Sequence, residues 1–222
     1  MKNCLVVLPA FNVADKIQKV LTDLIRDSEI SICVVDDGST DNLQPQLSIY
    51  PNIIHLKNTV NMGKGAALLK GFHYGLKMKN IDFFISMDSD GQHNPTDVGS
   101  LLNVMVQSQA DIVIGNRMSE TRSMPLHRWL SNKITSLLVS FRVGKHIPDS
   151  QCGFRVYKKN IFRRLEFDCV KFDFETEVLL KAFQAGMKIE STKIQTIYTK
   201  DAFSSMQLTD IILFLKTYLK NI

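Results

Sequence analysis

The chain has 222 residues, of which 45% are hydrophobic and 22% charged, with 27 Lys and Arg against 22 Asp and Glu for a formal charge of +5. That length and balance allow one well-filled domain and exclude a disordered chain. No run approaches the roughly 18–20 apolar residues needed to span a bilayer, and Cys4, Cys33, Cys152 and Cys169 show no C-x-x-C pair, which argues for a reducing compartment and against a disulfide framework.

The N-terminal CLVVL (4–8) is a continuous apolar run, as expected of a strand covered on both faces, and it reads as a first strand rather than a signal peptide. Ile17, Val20, Leu21 and Leu24 then recur at helical spacing. ICVV (32–35) is a second strand, stopped by the turn-rich DDGSTD, and IIHL (53–56) a third. Residues 63–79 have helix periodicity, DFFISM (82–87) is a fourth strand, and HNPTDVGSLLNVMV opens a helix with Asn94 as N-cap and Pro95 at its first position. ADIVIG (110–115) is a fifth strand. Further on, 126–142 has apolar residues with interspersed basic ones, 152–159 and 187–199 read as strands, and 174–186 is a helix ending at Gly186. The tail carries Leu208, Ile211, Ile212, Leu215 and Leu219 at helical spacing.

Strands alternating with helices imply β-α-β crossovers and an α/β fold with a mainly parallel sheet. Ligands bind such sheets outside the carboxyl ends of the strands. PAFN, DDGSTD and DSDGQH follow strands one, two and four, so three polar clusters share one sheet edge.

Asp88 and Asp90 are one residue apart. If the backbone stays extended past Met87, both carboxylates face one ligand, and with the Gln92 amide oxygen they suit Mg²⁺ or Mn²⁺; the plainer reading is a solvated Asp-rich turn. DDGSTD is either a polar loop or, through Asp36 and Asp37, an acceptor for nucleobase and ribose hydrogen bonds. In NMGKGAA (61–67), Gly63 and Gly65 serve either packing or close approach to a phosphate at a helix N-terminus. His93 is either a turn histidine or a contact to a donor diphosphate or acceptor.

The ordered set PAFN, VVDDGSTD, NMGKGAA, MDSDGQH, GNR and QCGFRVY resembles the inverting family 2 glycosyltransferases of GT-A fold. Within them it is most similar to the dolichyl-phosphate mannose synthase and polyprenyl-phosphate glycosyltransferase branch, from Cys4 to about Leu215. The resemblance implies a nucleotide pocket of Pro9, Phe11 and Asn12, with Asp36 and Asp37 on base and ribose and Lys64 near the nucleotide. Asp88, Asp90 and Gln92 match the cluster for metal and diphosphate, which makes Asp88 and Asp90 catalytic. Arg117 and Arg128 match arginines that hold an acceptor phosphate. In IQTIYTKDAFSS, Tyr198, Lys200 and Ser204 match a loop that closes over the donor diphosphate. The implied domain is a single one over 1–222, nucleotide-binding to about 116 and acceptor-binding from about 117.

A UDP- or GDP-linked sugar needs its leaving diphosphate neutralised, which a divalent cation supplies. A hydroxyl acceptor also needs a general base, for which Asp149, Glu175 and Glu177 are candidates. A polyprenyl phosphate is already largely ionised and needs cationic clamps instead. The basic, apolar stretch 126–145 and the C-terminal helix either cover the core or lie on a membrane surface. Cytoplasmic location with peripheral contact at the inner face of the membrane is expected. A nucleotidyltransferase would place a Gly-rich basic loop where PAFN stands, a silent nucleotide-sugar-binding module would not need Asp88, Asp90 and Gln92, and nothing but net charge points to nucleic acid.

Overall fold

A computed structural model describes residues 3–26, 30–119, 121, 124–168, 171, 173–197 and 208–220. Its core is a seven-stranded sheet ordered β3-β2-β1-β4-β6-β5-β7. The strands are β1 (Cys4–Ala10), β2 (Ile30–Asp36), β3 (Ile54–Lys57), β4 (Phe83–Ser86), β5 (Ile112–Asn116), β6 (Arg155–Lys158) and β7 (Ile189–Lys193). The helices are α1 (Ile17–Ile25), α2 (Leu43–Leu47), α3 (Lys64–Leu76), α4 (Asp97–Ser108), α5 (Leu126–Val143), α6 (Ile161–Arg164), α7 (Phe174–Gln184) and α8 (Leu208–Lys220).

β1 is the centre of this arrangement, paired in parallel with both β2 and β4. Cys4 to Leu8 are fully buried, which is why this strand reads as an uninterrupted apolar run. α3 lies close upon it, because a Cβ at Gly71 would fall 2.4 Å from Val7 and one at Gly75 2.6 Å from Leu5 and Phe84. Burying a Leu or Val in such a strand contributes about 1.5–3 kcal/mol. The sheet is parallel except at β6, which runs antiparallel to both β4 and β5. That reversal brings the residues just before β6 to the edge where β1, β2 and β4 end.

Several sequence expectations need correction. α4 begins at Asp97 rather than at Pro95, with Thr96 at the N-cap. Asn94 instead closes a preceding turn: its Oδ1 accepts the Thr96 N–H at 3.2 Å and its carbonyl the Asp97 N–H at 3.0 Å. β6 starts at Arg155 rather than 152, because the Arg155 guanidinium is buried and gathers the carbonyls of Ser150, Cys152 and Glu175, each at 2.7 Å, which bends the preceding residues out of the sheet. The short α2 and α6 give too few residues to show a period, and Pro45 inside α2 masks it further.

α5 turns inside out relative to an ordinary surface helix. Its buried face is Thr135, Ser136, Val139 and Val143, while Leu126, Leu130, Ile134, Leu137 and Phe141 are exposed, Phe141 by 85%. Small hydroxyls hold it down: Ser136 Oγ accepts the Ser150 N–H at 2.8 Å, and Ser140 Oγ the Ile147 N–H at 2.8 Å. α8 behaves alike, burying Phe214 and Thr217 and exposing Ile211, Ile212, Leu215 and Leu219.

Candidate active site

β4 ends at Ser86, two residues earlier than an extended Asp88–Asp90 pair would require. Asp88 and Asp90 instead leave the strand through a turn that closes at Gly91, where φ is +79°. The turn, rather than strand alternation, brings both carboxylates to one cleft. That cleft also receives Lys64, Gln92, His93, Arg117, Arg128, Gln151, Asp173 and Glu175.

Asp88 is engaged through both carboxylate oxygens. Oδ1 lies 2.6 Å from the Lys64 ammonium and Oδ2 3.2 Å from His93 Nε2. His93 is buried with its Nε2 facing Asp88, and its Nδ1 has no hydrogen-bond partner among the described residues. Burial would raise the Asp88 pKa, but Lys64 and then His93 outweigh it and hold the group well below the usual carboxylate range. Burial would likewise lower Lys64, yet Asp88 and Glu175 overcome it and keep the ammonium charged above its ordinary value. Asp90 takes the Gln92 N–H at 3.0 Å and the Gln92 amide nitrogen at 2.5 Å, which turns the amide oxygen away from that carboxylate.

Lys64 reaches Asp88 because α3 starts there. Gly63 at its N-cap has φ +102°, a conformation open to glycine, and donates its N–H to Asp37 Oδ2 at 2.8 Å. Asp37 Oδ1 also accepts from Asn58 at 2.7 Å and from the Met62 N–H at 3.0 Å. Both Asp37 oxygens thus hold the β3–α3 loop. Asp36 accepts the Ser39 N–H at 2.8 Å and has Lys57 at 3.5 Å. Asn12, at φ +53°, stitches the β1 loop to the β2 loop, donating its N–H to Ser39 Oγ at 3.1 Å and accepting the Thr40 N–H at 2.9 Å. Pro9 accepts from Ser89 Oγ at 2.7 Å, and Phe11 is exposed. These residues do not line the cleft of Asp88; they form the adjoining end of the same sheet edge.

Arg117 is less available than a phosphate clamp should be. Its guanidinium binds Asp149 through Nε at 2.8 Å and Nη2 at 2.9 Å, and its N–H donates to the same carboxylate at 3.1 Å. Burial would raise Asp149, but Arg117 holds it below its usual range, so Asp149 is no proton acceptor near neutrality. Glu177 is fully buried away from the cleft, paired with Lys181 at 2.8 Å and accepting the Asp168 N–H at 3.1 Å. Glu175 sits 2.7 Å from Lys64. All three candidate bases are therefore tied to cations. Arg128, near the start of α5, does line the cleft. Tyr198, Lys200 and Ser204 lie outside the described residues, as does Cys169. The Cys33 and Cys152 thiols are pushed up to about 12 by burial and offer no nucleophile.

Two residues escaped the sequence reading. Gly153 leaves the space the ion pairs fill: a Cβ there would stand 2.5 Å from Lys64 Nζ and 2.8 Å from both Asp88 oxygens. Its signal was present in QCGFRVY, which had been given no role of its own. Asp173, buried beside α8, accepts Thr217 Oγ1 at 3.0 Å on Oδ2 while Oδ1 has no hydrogen-bond partner. It stands two residues before Glu175, and nothing in FDFETE sets it apart.

Asp88 and Asp90 supply hard oxygen donors to one cleft, the chemistry Mg²⁺ and Mn²⁺ prefer, while Gln92 lines it with its amide nitrogen on Asp90. Among the described residues no three His, Cys, Asp or Glu side chains converge as a closed metal site. The donor set therefore fits a cation whose remaining ligands come from a diphosphate.

The profile described as Glycosyl transferase family 2 matches residues 5–166. An uncharacterized protein of Methanocaldococcus jannaschii is 31% identical, with 96% of both chains covered. A UDP-N-acetylglucosamine–dolichyl-phosphate N-acetylglucosaminyltransferase of Methanococcus voltae is 26% identical over 96% of this chain and 92% of its own. Among solved structures, glucosyl-3-phosphoglycerate synthase from Mycobacterium tuberculosis, in complex with Mn²⁺, UDP and glucosyl-3-phosphoglycerate, superposes with a TM-score of 0.75 at 18% identity, covering 98% of this chain and 79% of that one. The α/β architecture of GT-A type expected from the motifs is borne out by that likeness.

Proposed function

The chain belongs to glycosyl transferase family 2, and we propose that it moves a sugar from a nucleotide-diphosphate donor to a polyprenyl phosphate with inversion at the anomeric carbon. One observation carries the choice of acceptor. Asp149, Glu175 and Glu177, the carboxylates the sequence offers as bases for a hydroxyl, are each bound to a basic side chain. A phosphate monoester arrives largely ionised and needs no such base. The Methanococcus voltae relative, named for a dolichyl-phosphate acceptor, supports the same choice.

In this reading Pro9, Phe11, Asn12, Asp36 and Asp37 form the nucleotide end of the site, with Asp37 acting through the loop it holds. Asp88, Asp90 and Gln92 would hold Mg²⁺ or Mn²⁺, which would neutralise charge on the leaving diphosphate. Lys64 adds a positive charge beside them. Arg128 meets the acceptor phosphate, and Arg117, locked by Asp149, shapes the wall beside it. The acceptor oxygen forms its bond to the anomeric carbon as the bond to the diphosphate breaks, and the diphosphate leaves with the electron pair. Tyr198, Lys200 and Ser204 remain our candidates for closing over it.

The acceptor lies in a membrane, and the outward aliphatic faces of α5 and α8 offer the contact. Both helices contribute to the cleft, through Arg128 and Phe214. No helix of the described residues is long and apolar enough to cross a membrane, so the contact we propose is an interfacial one.

A second reading, transfer to a saccharide hydroxyl, draws on the unpartnered Oδ1 of Asp173, which could act as base. A single assay separates the two. The purified chain is given UDP- and GDP-sugars with Mn²⁺, and either a short polyprenyl phosphate or free sugars. Transfer to the lipid phosphate, abolished in Asp90→Asn without loss of fold, is the expected result. Transfer to free sugars alone overturns the lipid reading.

A further inference from the structure

We propose that Glu175 is a positioning residue for metal loading: it is the second seat of Lys64, which lets Asp88 turn from an ion-pair partner into a metal ligand. The inference rests on the metal site of the proposed function and concerns a residue that touches neither the cation nor the sugar.

As the side chains stand, Asp88 has no idle oxygen. Lys64 occupies Oδ1 and His93 occupies Oδ2. A cation that takes Oδ1 comes up against the Lys64 ammonium, which is itself positive and largely enclosed, its side chain only 14% exposed. Without another anion at hand, two positive charges would compete for one carboxylate in a poorly solvated place, which costs strongly.

Glu175 supplies that anion. Its carboxylate lies 2.7 Å from Lys64 and is 4% exposed. Beyond that ion pair, neither Glu175 oxygen has a hydrogen-bond donor among the described residues. The carboxylate thus retains hydrogen-bonding capacity that Lys64 fills by pivoting away from Asp88. Glu175 itself stays in place: its carbonyl accepts Arg155 Nη1 at 2.7 Å, and the same buried guanidinium grips Ser150 and Cys152. Gly153 leaves the ammonium room beside Asp88. Asp88 and Glu175 both face the Lys64 ammonium, and Asp90 lines the same cleft.

The test is Mn²⁺ affinity, read from free Mn²⁺ by electron paramagnetic resonance, with saturating UDP in one series and GDP in another. In Glu175→Gln, Lys64 loses the anion it would turn to, and Mn²⁺ should bind at least about tenfold more weakly than to the wild type. Glu175→Asp retains the charge but shortens the side chain, so Lys64 can no longer bridge, and Mn²⁺ should again weaken, by about three- to tenfold. In a Lys64→Met background, where there is no ammonium to reseat, Glu175→Gln should change affinity less than about threefold. Circular dichroism and thermal melting establish that each variant is folded; should Glu175→Gln not fold, the Glu175→Asp comparison decides. Unchanged affinity in Glu175→Asp, or an equal effect of Glu175→Gln with and without Lys64, overturns the inference. Failure of the wild type to bind Mn²⁺ with either nucleotide overturns the metal site itself, a separate result.

Discussion

Gly153 shows how much a missing methyl can decide. Lys64, Asp88 and Glu175 come from three separate elements, and their charges meet only because residue 153 has no side chain. Gly153→Ala would push a Cβ into the ammonium and both Asp88 oxygens. The atoms it meets are the far ends of flexible side chains, so the melting temperature should fall only slightly and the fold remain. The larger loss should be chemical: sugar transfer is expected to fall at least about tenfold at saturating Mn²⁺ and donor. Kinetics alongside a thermal melt check this, and a variant that melts earlier yet transfers at the wild-type rate would remove Gly153 from the site.

At the scale of elements, α5 and α8 invert the usual pattern. α5 uses Ser136 and Ser140 to fasten the 147–150 loop, and that loop carries Asp149. Its aliphatic residues are left facing outward at intervals of three or four, a stripe that runs along most of the helix's length of about 27 Å. Phe141 and Leu137 are exposed by 85% and 70%. Charging them should not disturb the core. The double variant Leu137→Glu, Phe141→Glu is expected to bind phosphatidylglycerol vesicles at least about tenfold more weakly in flotation, with an unchanged melting temperature. Transfer to a short, water-soluble polyprenyl phosphate should persist. Vesicle binding equal to the wild type would exclude this stripe as the lipid contact.

Across the whole molecule, the reversal at β6 joins the parallel nucleotide end to the rest of the sheet, and the Arg117–Asp149 pair pins that junction. Arg117 follows β5, and Asp149 belongs to the loop that leads into β6. Asp149 is fully buried, so Arg117→Met would strand its charge, at a cost of about 3–5 kcal/mol. The sign with pH follows from the lowered pKa of Asp149. A carboxyl whose folded pKa lies below its unfolded value of about 3.9 contributes stability above that value, and the contribution is lost as pH falls toward the folded pKa. In the variant the stranded carboxylate is instead relieved by taking up a proton. The stability gap between wild type and Arg117→Met, measured by urea unfolding, should therefore be widest near pH 7 and narrower near pH 4. A gap independent of pH would mean that lost packing, not charge, explains the cost.

Long buried strands and periodic helices were legible in the chain itself, because burial on both faces demands unbroken apolar runs and a helix repeats its face every three to four residues. The polar clusters after β1, β2 and β4 were legible for the same reason: a parallel sheet delivers the end of each strand to one edge. What the sequence could not reveal was pairing between distant charges. That Asp149 is spent on Arg117, that Glu175 meets Lys64, that Gly153 opens room for Lys64, and that the apolar side of α5 points outward all depend on which elements end up adjacent. Local periodicity records that a helix has two faces, but only its neighbours in space decide which one is covered.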